Sequence, residues 1–188
     1  MEMMSDYADG ADLLQRIDGG ESGGADESTA ARLRILLESC STGIAIVTTA
    51  GRGTTMPGVI TTSFSSVSLE PPAMMWSFPK SSSQHDVFCA AQEFAVHLLD
   101  PEHAVLAKHF AGKHVPAARL KSLRPRGGPA LFDCRARLDC HAFATHDAGE
   151  RTIIAARVAS FEEHPGERLL FHRRRFGYVL PVDNVIER

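Results

Sequence analysis

A hydroxyl-rich segment is the part of this chain whose residue types most clearly indicate chemistry. Six of the eight side chains at residues 61–68 are serine or threonine, and only Phe64 and Val67 interrupt the run. These hydroxyls supply many neutral hydrogen-bond donors and no charge. The β-branched and aromatic residues among them favour a strand, whereas serine and threonine also favour irregular edges. We interpret the segment as a cofactor cradle, with an ordinary serine- and threonine-rich strand edge as the alternative.

A second candidate site follows one strand later. Pro71 and Pro72 cannot donate to a sheet ladder, so the hydroxyl-rich strand is predicted to end there. The apolar run at residues 73–78 predicts a buried strand, and a helix is predicted from about Gln84. Between these elements stand a cation and three hydroxyls: Lys80, Ser81, Ser82 and Ser83. They are suited to bind an anion at the start of the helix, although a plain helix cap would have the same composition.

Composition limits the classes of protein to consider. The chain has 188 residues, 44% of them hydrophobic and 23% charged, which suits one globular domain with a substantial core. No apolar run is long enough to span a bilayer, and a basic and apolar secretory signal is absent from the N-terminus. We therefore expect a cytoplasmic protein with no membrane partner. The four cysteines show no Cys-x-x-Cys spacing, which predicts free thiols.

Charge divides the chain into two predicted parts. Residues 1–27 carry eight acidic side chains and one arginine, which leaves a net charge of −7. This composition predicts a disordered acidic leader, followed by a folded domain over residues 28–188. The folded part has a net charge of +4, which suits anionic dinucleotides and is far too weak to indicate nucleic acid as a partner.

The remaining pattern predicts many strands and few helices. Helices are predicted from residue 28 or 29 to about 39 and at 101–110, the latter with proline in its first turn. Strands are predicted at 44–49, 93–98, 131–144, 152–162 and from 169, with turns at 50–53, 146–149 and 165–166. Because there is no βαβ rhythm and no Gly-x-Gly-x-x-Gly, we expect a mainly antiparallel barrel rather than a Rossmann sheet. An up-and-down lipocalin-like barrel is the alternative.

Other polar clusters give weaker signals. Residues 112–129 are rich in proline, glycine and basic side chains, which predicts a solvated loop or a mobile flap over a nucleotide. The nine histidines contain no set at a metal-ligand spacing, so no metal site is expected. A serine hydrolase would need a Gly-x-Ser-x-Gly elbow, which does not occur. The arginine run at residues 173–175 is typical of a solvated strand end.

Several stretches of the chain resemble the short-chain flavin reductase family, the small reductase components of two-component flavin monooxygenases. Residues 63–72, Ser-Phe-Ser-Ser-Val-Ser-Leu-Glu-Pro-Pro, are similar to the family signature Ser-Phe-x-Ser-Val-Ser-Leu-x-Pro-Pro. The resemblance continues at residues 93–99, 106–112 and 169–176. It covers the chain from about residue 38 to residue 178.

The resemblance implies both a fold and an activity. The family fold is a Greek-key split β-barrel of the FMN-binding type, which forms a homodimer and holds flavin near the subunit interface. The implied activity is that of an NAD(P)H-dependent flavin reductase, with NADH or NADPH as electron donor and FMN or FAD as acceptor. Reduced flavin would pass to a partner flavin-dependent monooxygenase. Since the cofactors carry the hydride transfer, no acid–base pair is required of the protein.

The family's cofactor-binding positions coincide with the two segments described above. The resemblance places the isoalloxazine edge against hydroxyls and backbone N–H groups of one run of residues, Thr61, Thr62, Ser63, Phe64, Ser65 and Ser66. It places the flavin phosphate at Lys80, Ser81 and Ser82. It also implies that Phe110 borders the flavin ring, and that Arg174 and Phe176 lie near the flavin and the dimer partner.

Two departures from the family pattern leave a second function open. Residues 60–64 are Ile-Thr-Thr-Ser-Phe where many members have Thr-Ala-x-Ser-Phe, so one hydroxyl is missing. Residues 149–151 are Gly-Glu-Arg where many members have Gly-Asp-His, whose histidine lies beside the nicotinamide nucleotide. We expect Arg151 to contact the nicotinamide cofactor, with exposure to solvent as the alternative. The alternative function is a flavin-binding protein of the same barrel, an electron carrier or an oxidase or assembly partner, without free flavin reductase turnover.

Overall fold

Strands dominate the part of the chain that the computed structural model describes, which is residues 31–33, 35–36, 43–50, 57–112, 134–172 and 175–178. The strands are β1 (Ala45–Thr49), β2 (Gly58–Thr61), β3 (Phe64–Leu69), β4 (Pro72–Pro79), β5 (Glu93–Leu98), β6 (Ala136–Ala148), β7 (Arg151–Glu163), β8 (Leu170–His172) and β9 (Arg175–Gly177). Helical residues are found at 31–33 and 35–36, in α1 (His85–Ala90), in a 3-10 turn (Pro101–His103) and in α2 (Ala104–Phe110). The prediction of a mainly β protein with short helices is confirmed.

Seven of these strands form one sheet, in the order β2-β1-β5-β6-β7-β4-β3, and β8 and β9 form a separate ribbon. All pairings between the named strands are antiparallel. The edge strands β2 and β3 stand at opposite ends of the order, yet only Thr62 and Ser63 separate them along the chain. Such a connection spans at most about 11 Å. The sheet must therefore curve until its two edges approach each other.

An aromatic cluster fixes α1 against the sheet. Phe88 of α1 stacks on Phe78 of β4 with ring centroids 4.7 Å apart, and Trp76 meets Phe94 edge-to-face at 5.0 Å. Each of these four rings is at most 1% exposed. Because side chains alternate across a strand, Trp76 and Phe78 face inward while Ser77 between them is half-buried on the other face. The packing also fixes the loop that joins β4 to α1.

A second cluster holds α2 against β1 and β2. Leu106 of α2 is buried with Ile44 and Ile46, and Phe110 packs against the same cluster. A Cβ atom built on Gly58 would lie 2.2 Å from Phe110 Cε1, far inside van der Waals contact. Glycine at this position therefore lets the Phe110 ring approach β2 closely.

Most predicted elements occur close to their predicted bounds, and β5 coincides with the predicted strand at 93–98. The prediction for the β6–β7 hairpin was wrong in detail. β6 runs on to Ala148, and the turn lies at residues 149–150 rather than 146–149. Gly149 adopts a positive φ of 70°, and its N–H donates to Asp147 Oδ1 at 3.0 Å. The centre of the turn therefore lies two residues later than predicted.

The predicted helix at residues 101–110 is divided into the 3-10 turn and α2. Asp100 accepts hydrogen bonds from the backbone N–H groups of Glu102 and His103, which tightens the first turn. Some predictions lie outside the described residues. They concern the leader at 1–27, the turn at 51–53, the loop at 113–129 and Arg174.

Candidate functional site

Polar side chains from three strands form one hydrogen-bonded chain. Thr61 Oγ1, at the end of β2, accepts the Ser63 N–H at 3.1 Å. Ser63 Oγ lies 2.8 Å from Ser77 Oγ of β4. Arg151, the first residue of β7, donates from Nε to Ser77 Oγ at 2.8 Å and from Nη2 to the Ser77 carbonyl at 2.8 Å. We call Thr61, Ser63, Ser77 and Arg151 the hydroxyl–arginine network.

Strand register explains why these residues meet. Arg151 is opposite Pro79 in the β4–β7 pairing, and Ser77 is opposite Ile153. Ser77 and Arg151 therefore share one face of the sheet at diagonal positions, within reach of a long side chain. Ser63 joins them because the Ser77 N–H donates to the Ser63 carbonyl at 3.2 Å, which holds the β2–β3 connection against β4.

Some side chains of the hydroxyl-rich run at residues 61–68 are exposed to solvent. Thr62, Ser63 and Ser65 are exposed, and Ser66 is half-buried. Phe64 turns inward and is only 7% exposed. A bulge interrupts the β3–β4 pairing between Ser66 and Ser68. The run therefore offers a short row of exposed hydroxyls beside the positive charge of Arg151.

The loop after β4 brings a second cation to the β6–β7 hairpin. The Lys80 N–H donates to the Glu150 carbonyl at 2.9 Å, and Lys80 Nζ forms an ion pair with the Asp147 carboxylate. The lysine and aspartate side chains are 38% and 73% exposed. The hydrogen bond from Lys80 is the main cause that lowers the pKa of Asp147, followed by the hydrogen bond from the Gly149 N–H. The carboxylate is therefore charged at neutral pH.

The serines of this loop differ in their contacts. Ser82 Oγ accepts the Gln84 N–H at 3.2 Å, a contact that a plain helix cap would also make. Ser81 is exposed. Gln84 Oε1 in turn accepts the Gly58 N–H at 3.0 Å, which ties the start of α1 to β2. The loop is thus held at both ends while Lys80 and Ser81 face outward.

Two predicted site residues, Phe110 and Phe176, pack against the same buried apolar cluster. Phe110 is half-buried and lies close to Gly58 of β2. Phe176 of β9 is half-buried, with its ring centroid 5.3 Å from that of Phe171. It lines a cavity of about 570 Å³ together with other residues of the ribbon, Leu170, His172, Arg175, Gly177 and Tyr178. The roles predicted for Phe110 and Phe176 beside the flavin stay predictions.

Sequence reasoning did not single out two residues that the structure places among the predicted ones. Ser77 stands alone in an apolar run, and strand alternation already indicates that it faces away from Trp76 and Phe78. Asp147 carries no such signal, because its contact with Lys80 depends on the position of the hairpin turn.

Two histidines elsewhere are paired within the protein. His85 Nε2 lies 2.9 Å from Thr152 Oγ1, which ties α1 to β7, and His97 Nε2 lies 2.9 Å from Thr48 Oγ1. In the described ranges, no three histidine, cysteine or acidic side chains are placed to hold a metal ion. Of the helices that the structure describes, none is long and apolar enough to cross a membrane.

Comparison with known proteins identifies the family. The model for the flavin reductase like domain matches residues 37–180. The chain belongs to this family. It is 36% identical over 148 residues to the FMN reductase (NADH) SmoA of Agrobacterium fabrum, an alignment that covers 77% of this chain and 83% of that protein. The family predicted from residues 38–178 is thus confirmed over nearly the same range.

Two further relatives of this flavin reductase family member are similar along most of their length. One is the reductase subunit HsaB of a flavin-dependent monooxygenase from Rhodococcus jostii, which is 30% identical to this chain over 157 residues. That alignment covers 82% of this chain and 80% of HsaB. The other is a solved structure, the Streptomyces globisporus NADH:FAD oxidoreductase SgcE6 in complex with NAD and FAD fragments. It has a TM-score of 0.64 and 25% identity, and the match covers 81% of this chain and 95% of that one.

Proposed function

We propose that the protein is a cytoplasmic NAD(P)H-dependent flavin reductase that transfers hydride from NADH or NADPH to FMN or FAD. The observation that carries this proposal is the hydroxyl–arginine network, which lies at the segment bearing the family signature. The names of relatives add support, since SmoA is named for FMN and NADH and SgcE6 for FAD and NADH. NADH is therefore the donor that we expect to be preferred.

The exposed groups of this segment fit an isoalloxazine ring. When bound, the flavin and the nicotinamide supply the hydride chemistry themselves. The hydroxyls of Thr62, Ser63 and Ser65 are exposed neutral donors, which suit the carbonyl oxygens and ring nitrogens of a flavin. Arg151 adds a fixed positive charge that Ser77 holds in one orientation. Such a charge suits a phosphate or the carboxamide oxygen of the nicotinamide cofactor, which is the contact that we expect of Arg151.

The phosphate of the flavin is assigned to Lys80 and Ser81. Both residues are exposed on one loop. The Lys80 N–H of that loop donates to the Glu150 carbonyl, and the other end of the loop leads into α1. A lysine ammonium is a compact donor for phosphate oxygens. Ser82 is proposed to assist them, because its hydroxyl accepts the Gln84 N–H and can still donate its own hydrogen to a phosphate oxygen.

We further propose that the curved sheet is a Greek-key split barrel and that the protein is a homodimer. The support is the closeness of the edge strands β2 and β3, together with large apolar side chains that remain exposed on β3, β4 and β6. These side chains are Val67, Leu69, Met75 and Phe143, which are 36% to 50% exposed. A second copy of the chain would cover them. Sedimentation at micromolar and nanomolar concentrations tests this, and a fully active monomer would overturn it.

The partner that we propose is a separate flavin-dependent monooxygenase that receives the reduced flavin. HsaB is named as the reductase subunit of such an enzyme, and the chain spans most of its length. The exposed hydroxyls suit a flavin that enters and leaves.

The deciding experiment is an assay of the purified protein with each flavin and each nicotinamide, monitored by the loss of reduced-nicotinamide absorbance. We expect turnover that saturates with added flavin. Flavin binding without turnover in any combination would favour the alternative function, a flavin-binding carrier or assembly protein of the same fold.

A further inference from the structure

The lysine assigned to the flavin phosphate is already paired with an acidic residue. Lys80 Nζ contacts Asp147 Oδ2, and within the described residues no other carboxylate contacts it. The pair joins the β4–α1 loop to the β6–β7 hairpin. A phosphate placed at Lys80 would therefore meet the Asp147 carboxylate, which has the same sign of charge.

Asp147 is held in position to make this contact. Its Oδ1 accepts the Gly149 N–H at 3.0 Å, which leaves Oδ2 directed at Lys80. The same two hydrogen bonds lower the pKa of Asp147, so the group carries its full charge at neutral pH. The carboxylate is thus both oriented and ionised before any ligand arrives.

The lysine side chain can change partners while the loop keeps its position. The backbone bond from the Lys80 N–H to the Glu150 carbonyl, at 2.9 Å, does not involve the ammonium group. Both charged side chains are partly exposed, and exposed ion pairs of this kind are weak and easily exchanged. Phosphate binding therefore requires the exchange of one salt bridge and no refolding of the hairpin.

We propose that Asp147 is a specificity-determining residue that weakens the binding of phosphorylated flavins by competing for Lys80. The inference rests on the proposed function, in which Lys80 binds the flavin phosphate. It goes further by assigning an opposing role to a residue outside the family's binding positions. The consequence is that FMN is bound only loosely, as suits a reductase that passes its flavin to another enzyme.

Dissociation constants for FMN and riboflavin, measured by titration calorimetry, test the proposal because riboflavin lacks the phosphate. Asp147→Asn keeps the size of the side chain and removes its charge. We expect the variant to bind FMN about threefold more tightly and riboflavin as the wild type does. The gain is expected to shrink in high salt, which screens exposed charges.

Glu150→Gln is the matched control. This substitution removes the same charge from the same hairpin. The Glu150 side chain is exposed, and the backbone carbonyl of residue 150 still accepts the Lys80 N–H in the variant. A smaller change in FMN affinity for Glu150→Gln than for Asp147→Asn separates competition for Lys80 from a general effect of net charge. Equal gains in the two variants would overturn the proposal.

Lys80→Ala, alone and combined with Asp147→Asn, completes the set. If Asp147 acts through Lys80, the double variant binds FMN as Lys80→Ala does. A wild-type ratio of FMN to riboflavin affinity in Asp147→Asn, or a loss of affinity for both flavins, would overturn the role of Asp147. If Lys80→Ala weakens FMN and riboflavin equally, the phosphate position within the proposed function fails instead.

Discussion

Arg151 donates two hydrogen bonds to Ser77, from Nε to the hydroxyl and from Nη2 to the carbonyl, each 2.8 Å long. The two residues are 74 positions apart in sequence, and only the pairing of β4 with β7 brings them together. Ser77 connects the guanidinium to Ser63 and so to the exposed hydroxyl run. Arg151 is therefore oriented by the sheet and is half-buried, in contrast to the solvent-facing side chain that was the alternative expectation.

Arg151→Ala is expected to raise the KM for the reduced nicotinamide about tenfold and to leave flavin affinity unchanged. The reason is the loss of a positive charge and of the guanidinium N–H groups that Ser77 leaves available to donate to the nucleotide. Steady-state kinetics with varied nicotinamide at saturating flavin measure the effect. Arg151→His is the companion variant, and its rate should change near the ordinary histidine pKa of about 6.5, where the wild type has a flat profile. Unaltered constants in both variants would remove Arg151 from the site.

Gly58→Ala is expected to lower the free energy of unfolding by about 1–3 kcal/mol, the usual cost of overpacking. The added methyl would lie 2.2 Å from Phe110 Cε1 and 3.1 Å from Thr48 Cγ2, so the ring must move. Urea denaturation measures the change. Gly177→Ala is the control, because a Cβ at that position meets no atom within 4 Å. If the two variants unfold at the same urea concentration, Gly58 and Phe110 are not in close contact.

Stability is expected to fall as the pH rises above about 9, in part because of two buried thiols. Burial raises the pKa of Cys134 and of Cys140 from the usual 9.0 to about 12. The folded state thus keeps the thiol protons while the unfolded chain loses them. The contribution to stability is complete below pH 9.0 and is lost progressively as the pH approaches about 12.

Urea unfolding of Cys140→Ala and of the wild type between pH 8 and pH 11 checks this, with the variant expected to lose less stability over the range. Parallel slopes would contradict the burial of the thiol. Alkylation of the native protein provides an independent measure, since Cys89 is half-buried and should react before Cys134 and Cys140.

Deletion of residues 1–27 is expected to leave flavin binding and solubility unchanged. The segment has a net charge of −7 and too few apolar residues to form a core of its own. Flavin titration and thermal denaturation of the shortened chain compare it with the full chain. A lowered melting temperature or weakened binding would assign the segment to the folded domain.

Local patterns in the sequence predicted most elements and the family. The run 93–98 and the alternation around Trp76 are local signals, and strands formed where they predicted them. The Ser-Phe-Ser-Ser-Val-Ser-Leu-Glu-Pro-Pro motif was sufficient to indicate the family that the comparisons confirm. Such signals succeed because strand periodicity and the backbone limits of proline act over a few neighbouring residues.

Only the tertiary structure decided which polar side chains meet. The contact between Ser77 and Arg151 requires the register of β4 on β7, and the contact between Lys80 and Asp147 requires the hairpin to turn at residues 149–150. A shift of one residue would send each side chain to the opposite face of the sheet. Composition can supply hydroxyls and cations, but their pairing depends on long-range strand register, which no stretch of neighbouring residues specifies.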